Sequence, residues 1–333
     1  MEAGRLREGG LRTNELGQTG MEISRVGFGA WAIGGAGYEW GWGAQDDQRS
    51  IETIERALDL GINWIDTASL YGFGHSEEVV GRAIQGLADR PYVFTKTSLV
   101  DDGHGNVVDS LKRDSILREA EASLGRLGVE AIDLYQVHFP DPEEDLEEGW
   151  ATFAELKEQG LVRHIGVSNF DVAQLRRVQS LAPVETIQPP YSLIARTSEE
   201  ELLPFAAAEG IGVIVYSPMG SGLLTGAFTR QRIEALPDDD WRKADPDFQE
   251  PRLSEHLAIV ERLEVVAERH DTTPGAVAVA WTLRNPVVDG AIVGFRRPDQ
   301  VEAIADAASL ELTDDDVSRL EPRLARISGR TNH

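Results

Sequence analysis

The chain of 333 residues contains no cysteine. That absence excludes disulfide bonds, thiolate catalysis and metal or iron–sulfur sites held by cysteine. The 7 histidines show no metal-ligand spacing, and the sequence has no His-Glu-x-x-His motif, so we predict no metal site. The protein is therefore expected to work without reactive sulfur or a bound metal.

Long apolar runs are also missing. No run approaches the roughly 20 residues that span a bilayer, and the N-terminal stretch lacks the apolar core of a secretory signal. Acidic residues outnumber basic ones, 57 Asp and Glu against 32 Lys and Arg, for a formal net charge of −25. Because such a surface repels nucleic-acid phosphates and anionic lipids, we expect a cytoplasmic protein with no nucleic-acid or membrane partner. Homo-oligomerisation is left open.

One rhythm runs through the chain. A flexible leader is predicted over residues 1–12, and turn residues between short β-rich stretches predict a hairpin over 13–24. Short β-rich runs then alternate with stretches whose apolar residues recur at helical spacing. The β-rich runs are 25–29, 63–66, 92–96, 133–138, 164–168, 185–189, 212–217 and 290–294, and the helices are 50–60, 76–88, 110–127, 146–159, 171–180, 198–208, 254–269, 274–284 and 298–308.

Eight β-rich runs that alternate with helices predict a parallel sheet. Hydrophobic residues make up 41% of the chain, which is enough for a sizeable core, and no linker divides the sequence. We therefore predict one α/β domain over residues 1–333: a (β/α)8 TIM barrel with an N-terminal β-hairpin and extended loops at the C-terminal face. The stretch 231–253, rich in Pro and Asp, is predicted to be one of these loops.

Polar residues close six of the β-rich runs. In a (β/α)8 barrel the carboxyl ends of the strands meet at one mouth, where active sites lie. These polar residues are therefore expected to converge. They are Asp66, Lys96, His138, Ser168 with Asn169, Gln188, and Tyr216 with Ser217.

Four residues near this mouth have complementary chemistry. The phenol of Tyr71, five positions after Asp66, has an ordinary pKa of about 10, too high for ready proton exchange at neutral pH. An ammonium at Lys96 would lower that pKa, and Asp66 would keep Lys96 charged and in place. With His138 orienting a substrate oxygen, such a group fits proton transfer at a carbonyl or an alcohol. The accompanying hydride must come from a nicotinamide or a flavin.

Ordered motifs along the chain carry a family resemblance. In chain order they are GINWIDTASLYGFGHSEEVVG, DLYQVHFPD, HIGVSNF, QPPYSL and VIVYSPMGSGLLTG. With them the sequence resembles the aldo-keto reductase superfamily from the hairpin to about residue 309, and within it the bacterial oxidoreductases related to the inositol-utilisation enzymes. The resemblance implies a catalytic tetrad of Asp66, Tyr71, Lys96 and His138.

The resemblance also implies a site for a nicotinamide dinucleotide. The carboxamide would be hydrogen-bonded by Ser168, Asn169 and Gln188, and the ring would stack on Tyr216. One loop would wrap the pyrophosphate with its backbone, and a later stretch resembles the adenosine-binding element. The residues implied are Ser217, Pro218, Met219, Gly220, Gly222 and Leu223 in the loop, and Gly294, Arg296 and Gln300 in the later stretch.

The adenosine-binding element decides between the two nicotinamide cofactors. Arg296 is expected to grip a 2′-phosphate bidentately, which favours NADPH (NADP+). The chain departs from its relatives nearby, with Ala303 and Ile304 where they carry Glu-Asn and Gln300 where many have arginine. These departures remove expected contacts and keep NADH as an alternative.

Two other motifs point to different cofactor sites and are rejected. Tyr92 and Lys96 have the YxxxK spacing of short-chain dehydrogenases, but the run is β-rich, and residues four apart on a strand lie ~13 Å apart. The stretch 220–226 lacks the Gly-x-Gly-x-x-Gly spacing of a dinucleotide fingerprint. We predict that it contacts phosphate in another way.

Aromatic residues after the first β-rich run are candidates for the substrate pocket. They are Trp31, Tyr38, Trp40 and Trp42. Packing of their loop against neighbouring helices is the alternative explanation. Residues 72–74 and the loop around Trp241 are further candidates, whereas His75 and His104 are predicted to be solvated loop residues.

The sequence thus predicts an aldo-keto reductase. We expect it to reduce an aldehyde, ketone or sugar-like carbonyl reversibly with NADPH, with Tyr71 as general acid and base. Two alternatives stay open. The same site can work physiologically as an alcohol, polyol or sugar dehydrogenase with NAD(P)+, or the protein can be a cofactor-binding regulatory subunit, since some superfamily members serve channels.

Overall fold

The computed structural model describes residues 11–36, 40–237 and 240–321, so residues 1–10 of the predicted leader lie outside it. The strands in chain order are β1 (Thr13–Glu15), β2 (Glu22–Ser24), β3 (Val26–Gly29), β4 (Trp64–Asp66), β5 (Tyr92–Thr97), β6 (Leu99–Asp101), β7 (Val107–Asp109), β8 (Ile132–Val137), β9 (Val162–Ser168), β10 (Thr186–Gln188), β11 (Gly212–Val215) and β12 (Gly290–Gly294). Eight of them close into a parallel barrel in the order β3-β4-β5-β8-β9-β10-β11-β12, with β12 paired to β3. The predicted (β/α)8 barrel is confirmed, and β1 and β2 form the predicted antiparallel hairpin.

Helices cover the outside of the barrel. They are α1 (Asp47–Asp59), α2 (His75–Ile84), α3 (Arg113–Leu127), α4 (Leu146–Glu158), α5 (Val172–Gln179), α6 (Leu202–Glu209), α7 (Arg230–Glu234), α8 (Arg252–Arg269), α9 (Pro274–Leu283), α10 (Pro298–Ala305) and α11 (Asp314–Leu320). Their apolar faces pack on the outward side chains of the strands in one large cluster, which includes Ile54, Ile116 and Phe153. No helix in the described part of the chain is long and apolar enough to cross a membrane.

Helix boundaries differ from the predicted ones where local hydrogen bonds decide them. α1 begins before the predicted residue 50 because the Asp46 carboxylate accepts a hydrogen bond from the backbone N–H of Arg49 and caps the helix. α2 stops short of the predicted residue 88 because Gln85 is extended and Gly86 is left-handed, with φ +77°. Both shifts move a helix end and leave its place in the barrel unchanged.

Some described elements have no counterpart in the prediction. β6 and β7 form an antiparallel hairpin of three-residue strands directly after β5. α7 has five residues, of which all but the first, Arg230, lie in the predicted loop 231–253, and α11 follows the last predicted unit. The strands and α7 are too short for a periodic pattern to show in the sequence.

Strand pleating sorts the barrel side chains into two sets. Trp64, Phe94 and Leu134, on β4, β5 and β8, face inward and belong to an interior cluster that is separate from the outer core. Leu16 and Ile23 of the hairpin complete this cluster. The hairpin therefore closes the amino end of the barrel, and the carboxyl end is where polar side chains enter the interior.

The hairpin gives a direct test of this closure. Gly17 has φ +53°, and a Cβ built on it would lie 2.4 Å from the backbone N of Gly212 on β11. Gly20 has φ +74°, but no described atom lies within 4 Å of its Cβ position. Gly20→Ala should cost only the left-handed penalty of about 1–2 kcal/mol. Gly17→Ala should lower the free energy of unfolding by about 1–3 kcal/mol more, because the hairpin must move off the barrel.

Urea unfolding of both variants checks this expectation. Equal losses in the two variants would show that backbone conformation alone matters and that the hairpin does not press on β11.

Candidate active site

Strand alternation places three of the predicted catalytic residues inside the barrel mouth. Asp66 lies two positions after the inward-facing Trp64, and Lys96 lies two positions after Phe94. His138 lies directly beyond the end of β8. The exposed fractions of Asp66, Lys96 and His138 are 2%, 0% and 8%. The fold thus brings together side chains that are far apart in the sequence.

The Lys96 ammonium is the centre of this group. Its Nζ donates to Asp66 Oδ1 at 2.5 Å, to the Thr67 carbonyl at 2.8 Å and to the Tyr71 hydroxyl at 3.4 Å. Burial lowers the Lys96 pKa, and the adjacent Asp66 carboxylate opposes that effect. The ion pair therefore keeps a charge at a place where water cannot stabilise it.

Tyr71 is held on a tight loop between β4 and α2. The Ser76 hydroxyl at the start of α2 donates to the Ala30 carbonyl at 2.9 Å and ties the helix to the end of β3. Gly72 has φ +63°, and a Cβ there would lie 2.0 Å from the Gly34 carbonyl oxygen. Only glycine fits this approach, and it holds the preceding tyrosine against Lys96.

The predicted lowering of the Tyr71 pKa is wrong for this arrangement. Burial raises the pKa of the Tyr71 phenol well above its ordinary value of 10.0, and the Asp66 carboxylate raises it further. Lys96 lies closer to the carboxylate, at 2.5 Å, than to the phenol oxygen, at 3.4 Å. Tyr71 is therefore a protonated phenol at neutral pH, which is the form that donates a proton.

His138 is a neutral imidazole in this setting. Burial lowers the His138 pKa well below 6.5, and the Lys96 charge lowers it further. The ring lies edge-on to Tyr71, with centroids 5.7 Å apart. Its Nδ1 is buried without a hydrogen-bond partner among the described residues. A polar ligand in the mouth can supply the missing partner.

These two pKa shifts predict the pH dependence of carbonyl reduction. The reaction needs protonated Tyr71, a form that is lost only as pH rises through the raised Tyr71 pKa, and neutral His138, a form that is already present below pH 6.5. We therefore expect kcat to vary less than about twofold between about pH 6 and 9. Initial rates across this range check the expectation. An ionisation near neutrality that disappears in His138→Gln would contradict it.

Two buried amides complete the surroundings of Asp66. Its Oδ2 accepts from Gln188 Nε2 at 2.9 Å and from Gln136 Nε2 at 3.3 Å, and Gln188 Nε2 also donates to Gln136 Oε1 at 3.1 Å. Sequence reasoning missed Gln136. Strand alternation could have identified it, because Gln136 stands two positions before the inward-facing His138 and therefore points to the same side of the strand.

The other predicted carboxamide-binding residues bond to one another around the mouth. Ser168 Oγ donates to the Gln188 carbonyl at 2.8 Å. Asn169 Nδ2 donates to the His138 carbonyl at 2.9 Å, and Asn169 Oδ1 accepts from the Tyr216 hydroxyl at 2.9 Å. These bonds join the ends of β8, β9, β10 and β11, so a ligand at the mouth would meet a preformed rim.

A cavity of about 840 Å³ opens above this rim, within the range of about 300–1,000 Å³ that is usual for small-molecule sites. Lys96 is buried beneath its floor. Most of the predicted site residues line the cavity. They are Trp31, Trp40, Trp42, Asp66, Tyr71, His138, Ser168, Asn169, Gln188, Tyr216, Ser217, Pro218, Met219, Gly222, Gly294, Arg296 and Gln300.

The loop 217–223 is folded on itself. The backbone N–H groups of Gly220, Gly222 and Leu223 donate to carbonyls of the same loop at 2.9 to 3.2 Å, and Leu223 is fully buried. Pyrophosphate contact through these amides stays a prediction. Ser221, which sequence reasoning did not single out, lines the cavity with φ +53°.

Arg296 is held by the loop that follows β3. Its Nε donates to Gln45 Oε1 at 2.9 Å, and its two Nη atoms donate to the carbonyls of Trp42 at 2.8 Å and Ala44 at 2.7 Å. The Gln300 side chain accepts from the Arg296 backbone N–H at 2.8 Å. Three of the five guanidinium N–H groups are thus committed to the protein.

Two further arginines that the sequence analysis passed over, Arg49 and Arg297, line the same end of the cavity. The departures at Ala303 and Ile304 lie elsewhere: Ile304 is 6% exposed and packs in the outer core, and the Ala303 carbonyl accepts from the Thr273 hydroxyl at 3.0 Å. Arg49, Arg296 and Arg297 therefore give this region positive charge. Burial lowers the Arg296 pKa, and the charge of Arg242, which also lines the cavity, lowers it further.

Aromatic rings also line the cavity. Trp31 stacks on Tyr71 with centroids 6.2 Å apart and on Trp241 with centroids 5.5 Å apart, and Trp42 meets Trp31 edge-on at 5.3 Å. Trp40 is 37% exposed at the rim, and Tyr38 lies outside the described residues. The rings pack on one another and also line the cavity, and their contact with a substrate stays a prediction.

The prediction for His75 is wrong. It is the first residue of α2, and its Nε2 lies 2.8 Å from Asp47 Oδ1, while Arg82 donates to the other Asp47 oxygen. This network joins α1 to α2, so the side chain is structural. His104 is exposed in the loop between β6 and β7, as expected.

Comparisons with known proteins identify the family of this chain. Residues 25–323 match the sequence model described as the Aldo/keto reductase family. The chain is 43% identical over 309 residues to the aldo-keto reductase YhdN of Bacillus subtilis, covering 92% of this chain and 91% of that protein. It is 35% identical over 318 residues to the NADH-specific methylglyoxal reductase of Escherichia coli, covering 91% and 95%. The structure of a glycerol dehydrogenase from Gluconobacter oxydans superposes with TM-score 0.85 and 38% identity, covering 96% of this chain and 97% of that one.

Proposed function

This chain belongs to the aldo/keto reductase family and is an NAD(P)H-dependent oxidoreductase acting on carbonyl or alcohol groups, and on that premise we propose that it reduces a small carbonyl reversibly with Tyr71 as the proton donor. The observation that carries the proposal is the Lys96 ammonium, which lies 2.5 Å from Asp66 and 3.4 Å from the Tyr71 hydroxyl. This arrangement fits acid–base catalysis at an oxygen atom.

Each of the four residues has a proposed role. Tyr71 donates its proton to the carbonyl oxygen in reduction and accepts it back in oxidation. Lys96 stabilises the phenolate left behind, and Asp66 holds Lys96 charged and in place. His138 uses its neutral ring to hydrogen-bond and orient the carbonyl oxygen, because burial and the nearby Lys96 charge both disfavour an imidazolium.

The cavity suits a nicotinamide dinucleotide. The unpartnered His138 Nδ1 is compatible with a polar ligand at the mouth, and Gln188, Asn169 and Tyr216 line the place where the carboxamide and ring would lie. When bound, the reduced nicotinamide supplies the hydride that side chains lack. The protein's part is to position the carbonyl carbon, exclude water and move one proton at Tyr71.

We favour NADPH as the cofactor. Arg49, Arg296 and Arg297 line one end of the cavity in a chain of net charge −25, and guanidinium groups suit a 2′-phosphate. NADH stays the alternative cofactor for two reasons. Arg296 already donates hydrogen bonds to the loop after β3, and one relative is NADH-specific. Fluorescence titration with each cofactor distinguishes the two.

The matched variants are Arg296→Ala and Gln45→Ala. The second removes the two hydrogen bonds between Gln45 and Arg296, from the Arg296 Nε and to the Arg296 carbonyl, both at 2.9 Å, and keeps the guanidinium. If Arg296 binds a 2′-phosphate, Arg296→Ala should weaken NADPH binding about tenfold or more, leave NADH within about threefold, and differ from Gln45→Ala. Equal losses for both cofactors would assign Arg296 to the loop and favour NADH. Binding of neither cofactor to the unchanged protein would refute the proposed function.

The substrate is proposed to be small and to carry hydroxyl groups. Trp31 and Trp42 line the same cavity as the carboxylates of Asp109 and Asp141, so one part of a ligand would meet apolar rings and another would meet acceptors. Methylglyoxal, glyceraldehyde and glycerol form the first test panel. Because a structural relative is a glycerol dehydrogenase, oxidation of polyols is the second candidate activity.

A further inference from the structure

The barrel interior contains an amide whose position is tied to the predicted cofactor site. Gln136 on β8 is fully buried, with 0% exposure. It bridges Asp66 and Gln188, with its Nε2 3.3 Å from Asp66 Oδ2 and its Oε1 3.1 Å from Gln188 Nε2. Burying an uncharged amide beside an ion pair is costly unless each polar atom is used, and here both are.

Asp66 sets which end of each amide faces it, and a second hydrogen bond of Gln188, to Gln136, holds the Gln188 amide against rotation about its bond to Asp66. The Asp66 carboxylate oxygens only accept hydrogen bonds, so Gln136 must present its nitrogen to Asp66 and its oxygen to Gln188. Gln188 then uses one N–H on Asp66, at 2.9 Å, and the other on Gln136, at 3.1 Å. Gln188 lines the cavity, and with both N–H groups used inside the barrel it meets a ligand there as an acceptor.

We propose that Gln136 is a positioning residue that fixes the Gln188 amide with its oxygen toward the cavity, so that the site selects a nicotinamide carboxamide over the corresponding carboxylate. A carboxamide offers N–H groups to this oxygen. A carboxylate offers none and is repelled by it. This inference rests on the proposed function, and it adds a residue that contacts neither substrate nor cofactor.

Removing Gln136 should release one N–H of Gln188. In Gln136→Met the side chain keeps its length and loses its polar atoms. Gln188 is then held by its bond to Asp66 alone. Its amide can rotate about that bond, which turns the freed N–H toward the cavity in place of the oxygen and lets it bind a carboxylate. Discrimination between the two ligands should therefore collapse, even though the residues that touch them are unchanged.

Equilibrium binding measures this discrimination without turnover. Tryptophan quenching is followed with NADP+, with its nicotinic-acid analogue, and with 2′-phospho-ADP-ribose, which lacks the nicotinamide. The unchanged protein should bind NADP+ at least about tenfold tighter than the acid analogue, about 1.4 kcal/mol. In Gln136→Met this ratio should fall below about threefold, with unchanged binding of 2′-phospho-ADP-ribose.

Tyr135→Phe is the matched control. Tyr135 precedes Gln136 on β8, faces the outer helices and stacks on Phe153 with centroids 4.8 Å apart. It should leave the ratio unchanged. Gln136→Asn, whose amide is one methylene too short to span Asp66 and Gln188, is the second test variant should the methionine variant fail to fold.

The outcomes distinguish failure of the role proposed for Gln136 from failure of the proposed function. A ratio that stays high in both Gln136 variants, or falls equally in Tyr135→Phe, overturns the role of Gln136 and leaves the proposed function standing. An unchanged protein that binds neither NADP+ nor 2′-phospho-ADP-ribose overturns the proposed function itself.

Discussion

Replacing Tyr71 by phenylalanine is expected to lower kcat for carbonyl reduction by about 10²–10⁴-fold, the usual contribution of a positioned acid or base. The variant loses the hydroxyl that lies 3.4 Å from Lys96 Nζ and keeps the ring that stacks on Trp31. Cofactor binding should stay within about twofold of the unchanged protein, because the loss is confined to the proton-transfer step.

Steady-state rates and a fluorescence titration on the same preparation check both halves of this prediction. Turnover near that of the unchanged protein would remove Tyr71 from the mechanism. Loss of cofactor binding together with turnover would instead indicate that the phenol has a structural role in the loop between β4 and α2.

Lys96→Met should be the most destabilising change at the site. The substitution leaves the Asp66 carboxylate buried, with 2% exposure, and without the cation that lies 2.5 Å away. Breaking a buried pair by removing one partner costs about 3–5 kcal/mol. The hydrogen bonds from Gln136 and Gln188 offset only part of this cost, because neutral amides stabilise a carboxylate less than an ammonium does.

The double variant Asp66→Asn/Lys96→Met is the control for this cost. It removes the stranded charge, so urea unfolding should show most of the lost stability recovered, while activity stays abolished. A single variant as stable as the unchanged protein would mean that the pair is poorly shielded from water. A double variant no better than the single one would mean that packing of the lysine chain, and not charge, sets the cost.

Much of the barrel follows from local sequence signals. The β-rich runs around Phe94 and Leu134 alternate with amphipathic helices. Only a few topologies can bury the apolar faces of a chain of such units. The strand-end positions of Asp66, Lys96 and His138 follow from the same pattern, because the carboxyl ends of parallel strands meet. These features depend on periodicity, which a single sequence displays.

The features that sequence reasoning missed depend on contacts between distant segments. Gln136 reads as one more residue in a buried strand until the pleat places it against Asp66 and Gln188. The sequence does not show that the Arg296 guanidinium has a protein partner, whereas in the fold it donates to the Trp42 carbonyl. The Tyr71 pKa was predicted from the nearest cation alone, whereas burial, which only the fold reveals, sets its direction.

The fate of the hydride tests the proposed mechanism most directly. The protein is incubated with methylglyoxal or glyceraldehyde and NADPH deuterated at nicotinamide C4 on one face or the other, and the alcohol product is analysed by mass spectrometry. We expect deuterium on the carbinol carbon from one of the two labelled cofactors, with the hydroxyl proton drawn from water and product formation lost in Tyr71→Phe. Cofactor oxidation without label in the alcohol, or labelled product at an unchanged rate in Tyr71→Phe, would contradict the proposed mechanism.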